Sequence, residues 1–251
     1  AEQALARAEP YVTASDSPWH DALFARIRGA FERQRGRTLE AMVCLEQAAR
    51  TFRAAGDLRE LAQVLLGQGI DCLERVGDIG AAVSLLNEAA ALARRHGDHA
   101  TDGRALLFLG VARRERGEID EANACFTASL EIQRRVGNRY FERWALLNLA
   151  GVALEQRCPE EALAHLAEAR AFAETHDPVL SAWIAADAAV ALVQQGDLEH
   201  ARAGFTEARN IAAASEHADL HAALPLLEAH LAVALASRAR TSGRAEEAST
   251  L

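Results

Sequence analysis

His217 and His221 stand four residues apart on a stretch of helical periodicity, a spacing that could present two imidazoles to one zinc ion. A zinc site needs further ligands, and no third ligand stands at a convincing spacing. Neither an HExxH motif nor a close cysteine pair occurs, so the two histidines read as solvated surface residues. His96 and His99 flank a Gly-Asp turn and read as loop residues. The four cysteines, Cys44, Cys72, Cys125 and Cys158, lie far apart without a CxxC pair, a usage that suits a reducing cytosol. No GxSxG or GxGxxG motif is present. Three catalytic groups on neighbouring elements cannot be assembled, so catalytic residues, metal ligands and cofactors are expected to be none.

All 27 basic residues are arginine. Without lysine the chain has no P-loop Lys for β/γ-phosphates, no kinase strand Lys and no amine for a Schiff base. Asp and Glu number 36, giving a formal net charge of −9 that argues against general nucleic-acid or anionic-membrane binding. The pairs Arg94-Arg95, Arg113-Arg114 and Arg134-Arg135 resemble a basic stripe. Glu115, Glu118, Glu121 and Glu131 dilute it into a salt-bridged, solvated helix face. No apolar run approaches the ~20 residues that span a bilayer, and no signal-peptide pattern opens the chain. The expected location is the cytoplasm.

The elements that position these residues follow from composition and repetition. Half of the 251 residues are hydrophobic and only 5% are aromatic, with Ala and Leu dominant, so helix-on-helix packing is expected. Turn-like segments recur at Gly36, Gly77, Gly117, Arg157 and Gly196, at spacings of 41, 40, 40 and 39. Five residues on stands an alanine: Ala41, Ala82, Ala122, Ala162, Ala201. Nine on stands a large apolar residue (Leu45, Leu86, Phe126, Leu166, Phe205), and twelve on a small one (Ala48, Ala89, Ser129, Ala169, Ala208). Seven before the turn the residue is small at Gly29, Gly110, Ala150 and Ala189, with Ile70 the exception.

Each copy predicts two helices. Leu106, Leu109, Gly110 and Arg113 form one stripe before the turn, and Ala122, Phe126 and Ser129 another after it. Glycine supplies a left-handed C-cap, the following acid favours the next N-terminus, and Pro159 and Pro178 fall where first-turn prolines are tolerated. Cys44 and Cys125 share a position of the second helix and read as small packing residues. The expected copies are 1–17 (partial), 18–57, 58–98, 99–138, 139–177, 178–217 and 218–251 (partial). They read as a single array cut from a larger protein, the alternative being that the partial end copies are the capping helices a solenoid requires.

The pattern Leu106-x2-Leu109-Gly110-x6-Gly117-x4-Ala122-x3-Phe126 resembles the tetratricopeptide repeat, TPR. The period near forty is similar to a longer variant found in bacterial signalling ATPases and multidomain transcription activators. The resemblance implies an all-α, right-handed superhelical solenoid of antiparallel helix pairs, with first helices lining a concave face. Counting back from each turn then places Leu23, Ile27, Ala30 and Arg33 on that face, followed by Val64, Gln68, Asp71 and Glu74 from the second repeat. The third repeat offers Arg104, Leu107, Phe108, Val111 and Arg114, the fourth Trp144, Leu147, Asn148 and Gly151, and the fifth Trp183, Asp187, Val190 and Val193.

Trp144 and Trp183 occupy one repeat position, 39 residues apart. They serve either as groove anchors or as inter-repeat packing. Asn148 is a polar candidate for pairing with a peptide backbone. The chaperone-tail carboxylate clamp that some members of the family carry is absent. Leu107 and Val111 stand where its Lys and Asn would be, and Trp183 and Asp187 replace its last two cations. The expectation is a regulatory domain that holds a protein or peptide segment, from a partner or from another domain of its own parent chain, around Arg104, Phe108, Val111, Trp144, Leu147, Asn148, Trp183 and Asp187. The alternatives are a small-molecule inducer sensor and a scaffold assembling through its ends.

Overall fold

In the computed structural model, residues 2–171 and 177–214 are described, with positions 225, 229, 232, 233, 235 and 236. The described residues hold eleven α-helices and no strand. They form two compact units, Ala1–Gly137 and Asn138–Leu251. The first contains α1 (Glu2–Ala14), α2 (Pro18–Gln34), α3 (Thr38–Ala55), α4 (Leu58–Asp71), α5 (Ile79–Arg95), α6 (His99–Glu115) and α7 (Ile119–Val136). The second contains α8 (Arg139–Glu155), α9 (Pro159–Ala171), α10 (Pro178–Gln195) and α11 (Leu198–Ala214). Within each unit consecutive helices pack together, and first helices also touch the next first helix: α2 with α4, α4 with α6, α8 with α10. His217, His221 and the expected sixth copy lie outside the continuously described residues.

The punctuation read from the sequence is realised atom by atom. Gly36, Gly56, Gly77, Gly97, Gly117, Gly137 and Gly196 have positive φ, between 68° and 98°, and end their helices in the left-handed conformation. Arg157 takes the same role without being glycine, at φ 61°. At six helix starts an Asp or Asn then caps the helix through its side chain, whereas Arg37 after Gly36 and Glu118 after Gly117 make no side-chain cap. Asp57 accepts from the Glu60 N–H, Asp78 from Ala81, Asp98 from Thr101, Asn138 from Phe141, Asp177 from Leu180 and Asp197 from His200. Pro18 and Pro178 sit in the first turns of α2 and α10, and Pro159 opens α9.

The core follows the phase of the repeat. Ala41, Ala82, Ala122, Ala162 and Ala201 are buried, as are Leu45, Leu86, Phe126 and Leu166. Small residues let the helices of a pair approach: a Cβ on Gly110 would stand 2.5 Å from Phe126 Cε1, and one on Gly29 2.9 Å from Leu45 Cγ. Phe205 is only half-buried and shares a cluster with Trp183 over Ala185, Ala186 and Ala208. Cys44 and Cys125 are half-buried, and burial pushes both thiols up. The 18 residues of α10 have a mean hydropathy of 1.2, long and apolar enough by length and composition to cross a membrane. Leu180, Ile184, Ala185, Ala189 and Val193 of that helix are buried within the protein.

One repeat carries an extra residue. The helix begun by α4 continues as a π-helical turn, Cys72–Val76, before Gly77. Elsewhere the residue after the αL position donates to a carbonyl five residues back, as Asp57 does to Phe52, Glu118 to Arg113 and Asp197 to Leu192. Asp78 donates to Cys72, six back. A single inserted residue absorbed as a π-bulge accounts for the spacing of 41 and for the misfit of Ile70. The true counterpart of Gly29 and Gly110 is Gly69, whose Cβ would meet Leu86 Cγ at 2.7 Å. The count from the turn is therefore one residue out along most of α4. Gln63, half-buried, takes the position of Arg104, Trp144 and Trp183, and Val64 is entirely buried.

Candidate functional site

Most faces of the first helices are covered by neighbours on both sides. On α6 the half-exposed positions include Arg104, Phe108 and Val111; on α8, Trp144, Asn148 and Gly151; on α10, Trp183, Asp187 and Val190. Each set steps by four and then three residues, so each lies on one helix face. Leu107 and Leu147, placed on that face by the sequence reading, are turned into the core at 3% and 7% exposure. Arg104, Phe108 and Val111 belong to the first unit, and the Trp144–Asn148 and Trp183–Asp187 pairs to the second.

In the second unit α8 and α10 touch directly, bringing the two tryptophan-bearing helices side by side. Trp183 packs one part of its ring against the Ala185, Ala186 and Ala208 cluster and leaves the rest accessible. Asn148 donates from Nδ2 to the Trp144 carbonyl at 2.8 Å. That bond fixes the amide on its own helix and engages one of the two N–H groups expected to face a peptide. Gln194 Nε2 donates to the Leu154 carbonyl at 3.1 Å and ties the C-terminal ends of the same two helices together.

In the first unit the corresponding face is charged. Arg26 pairs with Glu60 at 2.9 Å and donates to Gln63 at 3.0 Å. Arg33 Nε lies 2.6 Å from Asp71 Oδ1, and Arg75 Nε approaches the same oxygen at 3.8 Å. Asp71 is entirely buried, and desolvation pushes its carboxyl up against the opposing pull of Arg33 and Arg75. The guanidinium of Arg104 is held below its ordinary range, first by burial and then by the positive charge of Arg33. Arg33 and Asp71 both fell on the expected face; their ion pair, 38 positions apart, left no local signal in the sequence. Among the described residues no group of three or more His, Cys, Asp and Glu is placed to hold a metal.

Residues 101–175 match the family model of the tetratricopeptide repeat. These residues are tetratricopeptide repeats. The other helix pairs share their length, caps and small-over-large packing, and the fold is TPR-like throughout the described helices. No curated protein matches the chain. Among solved structures, aspartyl phosphate phosphatase F from Bacillus subtilis is similar at 14% identity and a TM-score of 0.71, over 93% of this chain. This chain spans only 58% of that protein's length. NprR in complex with its cognate peptide NprX is 15% identical with a TM-score of 0.61, over 98% of this chain and 68% of its own. A Rap protein complexed with Competence and Sporulation Factor is 14% identical with a TM-score of 0.69, over 92% and 73%. At these identities the likeness is one of fold.

Proposed function

We propose that this TPR chain is a protein- or peptide-recognition domain of a larger bacterial signalling or transcription-regulatory protein, working in the cytoplasm by binding and not by chemistry. The observation that carries the reading lies in the second unit, where the half-exposed Trp144 and Trp183 repeat one position on two touching helices. Large aromatic side chains that are anchored by part of their surface and accessible by the rest are the residue type that most often dominates binding energy. Asp187 and Asn148 one turn on supply the polar groups that orient an extended segment. The similar folds of NprR and Rap, solved with NprX and with Competence and Sporulation Factor, support a peptide as occupant.

The test is binding to a peptide array tiled from the parent protein and its genomic neighbours, comparing wild type with Trp144→Ala and Asn148→Ala. Weaker binding by both variants at unchanged helicity supports the reading. Binding that ignores both substitutions removes the site. Absence of peptide binding, with thermal stabilisation by a metabolite instead, moves the domain to the small-molecule sensors.

A further inference from the structure

We infer that Asp71 is a proton-controlled latch between α2 and α4: as a carboxylate it holds Arg33 across the two helices, and on taking a proton it lets the guanidinium go. The position is the first sign. Counted from Gly69, its counterparts in the other described repeats are Phe31, Ala112, Val152 and Ala191, the last three of them buried. An acid therefore stands where the repeat packs apolar side chains, immediately before the π-turn, and it is entirely buried. A buried ion pair adds little stability over apolar packing of the same volume, so this pair is better suited to switching than to holding the fold.

The geometry supplies a place for the proton. Asp71 Oδ1 faces Arg33 Nε at 2.6 Å and Arg75 Nε at 3.8 Å. Oδ2 is buried with no hydrogen-bond partner, and an unsatisfied buried oxygen is costly. A proton from solvent forms an O–H bond there, neutralises the carboxylate and removes the charge that draws Arg33 in. Arg33 lies in the last turn of α2, so its release frees the C-terminal ends of the two helices from each other. Their other ends stay tied, because Arg26 pairs with Glu60 at 2.9 Å and donates to Gln63 at 3.0 Å.

The helices packed on α4 and its turn bring charges of both signs. Arg33 comes from α2, and Glu46 of α3 accepts from Gln68 of α4. Asp78 at the start of α5 acts on Cys72, and Arg104 of α6 lies in the fields of Arg33 and Asp98. Glu74 and Arg75 sit on the turn itself. Burial outweighs the cations and pushes the Asp71 carboxyl up from 3.8. The folded chain thus holds this proton more tightly than the unfolded chain, and the stability contributed at this site grows as pH falls through the folded value toward 3.8. Acid that works the latch does not unfold the repeat through Asp71.

The test follows the Asp71 carboxyl carbon and the Arg33 Nε nitrogen of the whole chain by NMR through an acid titration, with circular dichroism for the helices. Asp71 is expected to titrate above 3.8, the Arg33 signal to shift with the same midpoint, and helicity to hold through it. Asp71→Asn, which mimics the protonated form, is expected to fix the Arg33 signal at its acid position at neutral pH. Arg33→Gln keeps the acid and serves if the Asn variant folds poorly. Without its cation, Asp71 should titrate about one pH unit higher or more, about a tenfold gain in proton affinity. An Asp71 midpoint at or below 3.8, an Arg33 signal that ignores the titration, or an Asp71 midpoint unchanged in Arg33→Gln overturns the inference. Unfolding before Asp71 titrates overturns it as well.

Discussion

The N–H of Asp78 donates to the carbonyl of Cys72 at 3.0 Å, closing a loop one residue longer than the equivalent bonds at the other helix ends. The extra residue is stored in the π-turn, with Glu74 and Arg75 exposed on it. Deleting Glu74 is therefore expected to convert the π-turn to a regular α-turn and change stability by no more than about 1 kcal/mol. Deleting Arg114, its counterpart in the regular α6, rotates the chain end against its partners and is expected to cost about 2 kcal/mol or more. Urea unfolding of the two deletions side by side reads the difference. Equal losses would contradict a bulge that carries one surplus residue.

Gly110 faces the ring of Phe126 with three ring atoms within 3.0 Å of its missing Cβ. Gly110→Ala is expected to destabilise by about 1–3 kcal/mol, because neither a buried ring nor the paired helix can retreat cheaply. Gly80→Ala is the control: its Cβ would meet only Asp78 Oδ1 at 3.5 Å, and reduced backbone freedom in the unfolded chain should stabilise by about 0.5 kcal/mol. Thermal melts of both variants check the opposite signs.

Arg157 ends α8 at φ 61°, where the corresponding turns of the other described repeats have Gly36, Gly77, Gly117 and Gly196. An L side chain pays for that conformation through its Cβ, so Arg157→Gly is expected to stabilise by about 1 kcal/mol. Denaturation of the variant checks it; a loss would mean that the contacts of the arginine side chain outweigh backbone strain.

At the start of α11, Asp197 Oδ2 lies 2.7 Å from His200 Nδ1 while Oδ1 accepts the His200 N–H. The hydrogen bond and charge of Asp197 push the His200 imidazole up from its ordinary 6.5, and His200 holds the Asp197 carboxyl down. A raised histidine contributes stability that is fully present below about pH 6.5 and is lost as pH rises through the folded value. The depressed aspartate contributes above its ordinary 3.8 and loses that contribution as pH falls through its folded value. A His200 titration by NMR should show a midpoint above 6.5 that returns toward it in Asp197→Asn. An unmoved midpoint would mean the contact does not persist in solution.

The helix pairs and their caps were legible because they depend on neighbours in sequence. A left-handed glycine followed by Asp or Asn ends one helix and starts the next through bonds spanning three to five residues, and the alanine and leucine phase marks the buried face. The register of α4 was legible only as a misfit at Ile70. A spacing of 41 cannot by itself say on which side of Gly69 the surplus residue lies. Contact of Gly69 with Leu86, seventeen positions on, decides it.

The half-exposed positions of Arg104 and Phe108 in the first unit, and of Trp144, Asn148, Trp183 and Asp187 in the second, followed from counting, but the state of their side chains did not. Periodicity assigns a face, whereas the fate of each group depends on what packs beside it. Leu147 turns into the core, Asn148 gives a donor to its own helix, and Trp183 shares an alanine cluster with Phe205. Arg33 and Asp71 meet because packing α2 on a bulged α4 leaves a buried carboxylate that must find a cation, a demand that exists only once the helices have come together.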